Sequence, residues 1–187
     1  MKIVIIHGAY GDPNENWFPW LAGELRALGH EVYVPKFPTP DGQNVENWCE
    51  VLQRETPFEF DGDTILIGHS VGATYVLNVL NRQRREPIKA AFLVAGFAGE
   101  LGNPKFDVLN ETFVNADFDW DLIRRSAEKF VLMDGDNDPY VPRVEVEKLA
   151  KNLKIEPIWI KNGGHLNAAA GYTEFSELLN LIKEELK

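Results

Sequence analysis

The run Lys2-Ile3-Val4-Ile5-Ile6 shows no polar alternation, so a strand formed there must be covered on both faces. Comparable runs recur at Glu31–Val34, Thr64–Ile67, Ile88–Val94, Lys129–Met133 and Ile155–Ile160. Stretches with helical spacing lie among them. Residues 16–28 carry Trp17, Leu21, Leu25 and Leu28 on one stripe, and Gly29 stops them. A second helix is predicted over 44–55, and a third after Gly72 with Val71, Tyr75, Val76, Val79 and Leu80 facing the core. The last, over 174–186, buries Phe175, Leu178, Leu179, Ile182 and Leu186. Strands separated by helices connect by right-handed crossovers into a parallel sheet. The expected architecture is a three-layer α/β/α sandwich with about six parallel strands, whose ligands bind beyond the strands' carboxyl ends.

A chain of 187 residues suffices for one domain, 1–187, with a continuous core. Its longest connection, 97–128, carries Phe106, Phe113, Phe118 and Trp120 and is a candidate cap segment. A formal charge of −10 argues against nucleic acid or an anionic membrane as partner, since both attract cationic surfaces. The basic cluster Arg82, Arg84 and Arg85 complements the C-terminal end of the third helix. Cys49, the single cysteine, excludes an internal disulfide, suits a reducing compartment, and falls on an apolar helix face as a buried thiol. The opening apolar run ends at His7-Gly8, too short for a signal core, and no other run approaches a membrane span. A cytoplasmic protein is expected.

The predicted third strand runs directly into Gly68-His69-Ser70-Val71-Gly72 and then a helix. Strand, Gly-x-Ser-x-Gly and helix together make a nucleophile elbow, a strained turn that lifts a serine hydroxyl above the sheet. Serine needs a base to become nucleophilic. Of four histidines, His7 lies in the turn after the first strand, His30 in a solvated turn, and His69 beside Ser70, pointing away from it. His165 remains, seated in the glycine-rich loop Asn162-Gly163-Gly164-His165, which reads as flexible. A carboxylate must orient that imidazole. Asp138 is favoured because Pro139 holds it extended, with Asp136 as the second candidate.

The same segment has a rival reading: Asp134, Asp136, Asp138, Val141 and Glu145 match the ligand spacing of a calcium-binding EF-hand loop. Pro139 stands where that loop needs glycine, and the preceding residues read as strand, so no metal is expected. His7-Gly8-Ala9-Tyr10-Gly11 resembles the oxyanion turn of lipases and esterases, with the N–H groups of Ala9 and Val71 as candidate donors. Tyr10, Trp17, Phe97 and Phe113 are candidate walls of an apolar substrate pocket; aromatics like these equally suit packing against the core.

Five segments spanning nearly the whole chain carry a family resemblance: Ile3–Gly8, Gly68–Gly72, Ala95-Gly96-Phe97, Asp136–Pro142 and Gly163–Asn167. Together they resemble the small serine hydrolases typified by YdeN and retinoblastoma-binding protein 9, reduced α/β-hydrolases that lack the first strands of larger relatives. The resemblance implies Ser70, Asp138 and His165 as triad, in agreement with the residue-level reading. A retinoblastoma-binding Leu-x-Cys-x-Glu motif is absent around Cys49, so that protein partner is not implied. The expected function is cofactor-free hydrolysis of a small carboxylic ester, amide or thioester. A binding module on the same scaffold, or acyl transfer, is the alternative, because fold does not fix function.

Overall fold

The computed structural model describes residues 1–82 and 86–186. Its strands are β1 (Lys2–Ile6), β2 (Glu31–Tyr33), β3 (Thr64–His69), β4 (Ile88–Val94), β5 (Ala127–Gly135) and β6 (Ile158–Ile160). They form one sheet, parallel throughout, in the order β2-β1-β3-β4-β5-β6. Successive side chains of a strand point to opposite faces, and each central strand splits its apolar residues accordingly. Ile3, Ile5, Ile65, Ile67, Ala90, Phe92 and Val94 enter one core; Val4, Ile6, Leu66, Ala91 and Leu93 enter the other.

The first core is closed by α1 (Phe18–Ala27) and α7 (Ser176–Glu185). The second is closed by α2 (Val45–Glu55), α3 (Val71–Arg82), α4 (Pro104–Val114), α5 (Trp120–Arg125) and α6 (Arg143–Leu153). This is the three-layer arrangement of a reduced α/β-hydrolase fold. Nearly every residue of α3 from Val71 to Leu80 is buried, because the sheet lies on one side of it and α4 and α5 on another. No described helix is long and apolar enough to cross a membrane.

Three local readings change. Helix α6 escapes the sequence pattern because Val144 is half exposed and Glu145 buried in its first turn, which blurs the apolar stripe. Strand β6 begins at Ile158, not Ile155: Lys154 ends α6 in a left-handed conformation and Ile155 N–H still bonds to Ala150 O. Cys49 is only half-buried, and its sulfur accepts from Arg82 Nη1 at 3.2 Å. Arg84 and Arg85 of the basic cluster lie outside the described residues.

The order of strands positions the site. From β1 the chain crosses outward to β2, then returns to form β3 on the other side of β1. The carboxyl ends of β1 and β3 therefore flank the switch point, where open α/β sheets bind ligands. Ile6 pairs with Gly68 there, so His7-Gly8-Ala9 and His69-Ser70 leave the sheet side by side.

Candidate active site

Ser70 has a φ of 57°, a left-handed conformation that a non-glycine residue adopts only at a cost. Its N–H is held by Val94 O at 2.9 Å. The turn needs glycine on both sides. A Cβ at Gly68 would strike the Gly72 carbonyl, and one at Gly72 would lie 2.5 Å from the carbonyl oxygens of both Ile6 and His7. The β1 turn approaches just as closely: a Cβ at Gly8 would meet Ser70 Cβ at 2.9 Å. Val71 opens α3, so its N–H has no intrahelical acceptor. Among the described residues, neither that N–H nor the N–H of Ala9 has a backbone or side-chain acceptor.

His165 Nδ1–H donates to Asp138 Oδ2 at 2.7 Å, and both side chains are buried. The other Asp138 oxygen accepts from the N–H groups of Tyr140, at 2.7 Å, and Val141, at 3.1 Å. Burial alone would raise the Asp138 pKa; the bond from His165 and these backbone donors outweigh it and hold the carboxylate below its usual range. Asp136 plays a different part, accepting from Asn162 N–H at 2.7 Å, while Asn137 Oδ1 accepts from Gly164 N–H at 2.8 Å. With His69 Nε2 bonded to His165 O and Trp17 Nε1 to Leu166 O, both at 2.9 Å, the glycine-rich loop is pinned rather than flexible. The imidazole itself lies between the rings of His69 and Tyr140, at centroid distances of 4.9 and 5.0 Å.

His69 and His7 are neutral supports. Burial, with the neighbouring His165 second, pushes His69 down to about 3. Burial also lowers His7, whose Nε2 accepts from Phe37 N–H at 3.0 Å while Nδ1–H donates to Gly8 O at 2.8 Å. That pair of bonds fixes one tautomer and anchors the turn that carries Ala9.

Asp134 is the least expected member. It lies in β5, fully buried, with Oδ1 accepting from Gly135 N–H at 2.7 Å and Oδ2 meeting no donor. Its place in a strand is incompatible with the first position of an EF-hand loop. Burial, then the negative charge of Asp138 beside it, pushes its pKa up to about 9. The unfolded chain releases the Asp134 proton near pH 4, so above that the unfolded state binds fewer protons than the folded one. Stability therefore falls as the pH rises from about 4 toward 9, as far as this group is concerned. Asp134→Asn keeps the bond from Gly135 N–H without the ionisation, and urea unfolding at pH 5 and pH 8 is expected to show a flatter dependence in the variant. Identical dependence in both proteins would show that Asp134 is already ionised when folded.

Ser70 and His165 border one cleft of about 270 Å³, with Ala9, Tyr10, Leu101, Phe106, Asn110 and Tyr140 among its walls. No hydrogen bond joins the Ser70 hydroxyl to His165 among the described residues. Of the sequence-predicted pocket residues, Tyr10 is in place. Trp17, Phe97 and Phe113 do not line the cleft: all three are fully buried. Trp17 packs against Phe18 and Phe175 in the first core, and Phe113 against Trp48 and Tyr75 in the second, where Phe97 also lies. Phe118 and Trp120 line a separate depression. The connection 97–128 contributes Leu101, Phe106 and Asn110 instead. A larger cavity, about 380 Å³, opens beside Cys49, Phe58 and Tyr75 and holds neither Ser70 nor a histidine.

Comparison with known proteins identifies the family. The family model described as serine hydrolase matches residues 3–184. YdeN of Bacillus subtilis (strain 168) is 30% identical over 184 residues, covering 97% of this chain and 94% of its own. Serine hydrolase RBBP9 of Rattus norvegicus is 24% identical over 188 residues, covering 99% and 95%. The crystal structure of the B. subtilis ydeN gene product superposes with a TM-score of 0.88 at 27% identity, over 99% of this chain and 98% of that one. Est1E from Butyrivibrio proteoclasticus, solved with ferulic acid bound, shares the fold at a TM-score of 0.70 and 16% identity, over 99% and 89%. A match running from the first strand into the last helix, on a chain that strains a serine between two obligatory glycines, makes this protein a member of the serine hydrolase family.

Proposed function

We propose that the protein hydrolyses small carboxylic esters through an acyl-enzyme on Ser70. The observation that carries this reading is the His165–Asp138 bond of 2.7 Å at the rim of the cleft that also holds the strained Ser70. Asp138 keeps the imidazole proton on Nδ1, leaving Nε2 free to accept one. Nε2 takes the Ser70 proton as Oγ attacks the ester carbonyl carbon; that hydrogen bond commonly tightens only once substrate is bound. The carbonyl π pair moves onto oxygen, and the N–H groups of Ala9 and Val71 stabilise the oxyanion. The imidazolium then protonates the departing alcohol. Water, deprotonated by the same nitrogen, attacks the acyl group and releases the acid with Ser70 restored. His69, held neutral, places no competing positive charge beside the imidazolium.

A fluorophosphonate probe tests the reading directly. One adduct is expected, on the Ser70 peptide, and Ser70→Ala is expected to abolish both labelling and ester turnover. An unlabelled wild-type protein with no turnover of any ester would instead favour a binding module on this scaffold.

A further inference from the structure

One polar side chain of the cleft has no part in this mechanism. Asn110, on α4, is 3% exposed, yet it borders the same cavity as Ser70 and His165. The orientation of its amide follows from a chain of hydrogen bonds that begins at the oxyanion turn. Tyr10 N–H donates to Thr39 Oγ1 at 2.7 Å, and the Thr39 hydroxyl donates to Gln43 Oε1 at 2.6 Å. Gln43 Nε2 donates to Leu109 O at 3.2 Å and to Asn110 Oδ1 at 2.8 Å. A carbonyl only accepts, so the contact with Leu109 O fixes which end of Gln43 is nitrogen. Gln43 therefore presents a donor to Asn110, Asn110 must answer with its oxygen, and its Nδ2 group is turned to the other side.

There it finds no acceptor among the described residues. The residue is almost wholly buried and borders the cleft, so a molecule that fills the cleft and displaces water from this NH2 group leaves it unpaired unless it brings an acceptor, and an unpaired group is costly. The cleft is small, and Tyr10, Leu101, Phe106 and Tyr140 give it apolar or aromatic surface, with Glu15, Asn16 and Asn167 as further polar lining. A plain alkyl chain filling this space would cover Asn110 Nδ2 and leave it unpaired.

We propose that Asn110 is a specificity-determining residue, and that the substrate is a small ester carrying a second oxygen acceptor, such as an ether, keto or hydroxyl oxygen, a few bonds from the scissile carbonyl. The inference rests on the ester-hydrolase reading but is tested separately from it. Two isosteric pairs of esters supply the probes. On the acyl side they are the p-nitrophenyl esters of 3-methoxypropanoate and pentanoate; on the alcohol side, 2-methoxyethyl and butyl butyrate. Asn110→Asp keeps the acceptor that Gln43 needs and, when ionised, replaces the donor with a carboxylate oxygen that repels a substrate oxygen; Asn110→Leu removes the donor without adding charge. For at least one pair, the wild-type kcat/KM ratio of oxygenated to alkyl ester is expected to fall about 3- to 10-fold in Asn110→Leu, the size of one neutral hydrogen bond, and at least as far in Asn110→Asp. Intrinsic ester reactivity cancels in that comparison.

Binding of the same esters, measured by calorimetry on Ser70→Ala with and without Asn110→Leu, reads recognition where no bond is broken. It is expected to show the same loss, and Asn110→Ala, checked by thermal melting, replaces Asn110→Leu if the latter does not fold. An unchanged ratio in both pairs, by turnover and by binding, overturns the proposal while leaving Ser70 hydrolysis intact. Absence of turnover in the wild type would instead overturn the ester-hydrolase reading, and the binding arm would still decide the role of Asn110.

Discussion

Asp138→Asn is expected to lower kcat about 10,000-fold with little loss of stability. The reason lies in how the carboxylate is shared. The N–H groups of Tyr140 and Val141 claim Oδ1, so an asparagine amide must place its oxygen there and turn its NH2 group toward His165. Facing a donor, His165 Nδ1 must become the acceptor, and its proton moves to Nε2. That tautomer cannot take the Ser70 proton. His165→Ala removes the base outright and is expected to cost as much or more, about 10,000- to 1,000,000-fold. Steady-state kinetics on variants whose melting temperatures match the wild type decide the matter. A loss below 10-fold in either variant would falsify the assigned roles.

Gly72→Ala is expected to destabilise the fold by about 3 kcal/mol or more, because the new methyl enters a space already filled by backbone. Its Cβ would lie 2.5 Å from two carbonyl oxygens of the β1 end, Ile6 and His7. Neither can retreat: Ile6 is in the central sheet, and His7 is tied to Phe37 and Gly8. For a chain of this length the melting temperature is expected to drop by about 6–12 °C. Gly23→Ala supplies the control. No atom lies within 4 Å of a Cβ at this exposed position of α1, and alanine there is expected to stabilise by about 0.5–1 kcal/mol. Equal melting temperatures for the two variants would show that the elbow tolerates a side chain.

Where local chemistry dictates structure, the residues announce it. The β-branched run 2–6 could only be a doubly covered strand, and the spacing Gly68-x-Ser70-x-Gly72 encodes the close approaches of the turn in residue types. Asp138 was distinguishable from Asp136 because Pro139 restricts the residue before it. The walls of the cleft were not legible in this way. Whether an aromatic faces a cleft or a core depends on which helix face meets the sheet, and Trp17, Phe97 and Phe113 all turn inward. Asn110 and Asp134 escaped because neither belongs to a short motif. Their neighbours Gln43 and Asp138 are 67 and 4 residues away, and the environment of each comes from the tertiary fold. The glycines before His165 suggested mobility, whereas the loop's restraint comes from Asp136, Asn137, His69 and Trp17.

The indole bond from Trp17 to Leu166 joins residues 149 positions apart. The seat of the imidazole thus depends on a contact between two distant parts of the chain. Hydrolytic competence is therefore non-local: a change that loosens the start of α1 would unseat the His165 loop without touching the elbow that holds Ser70.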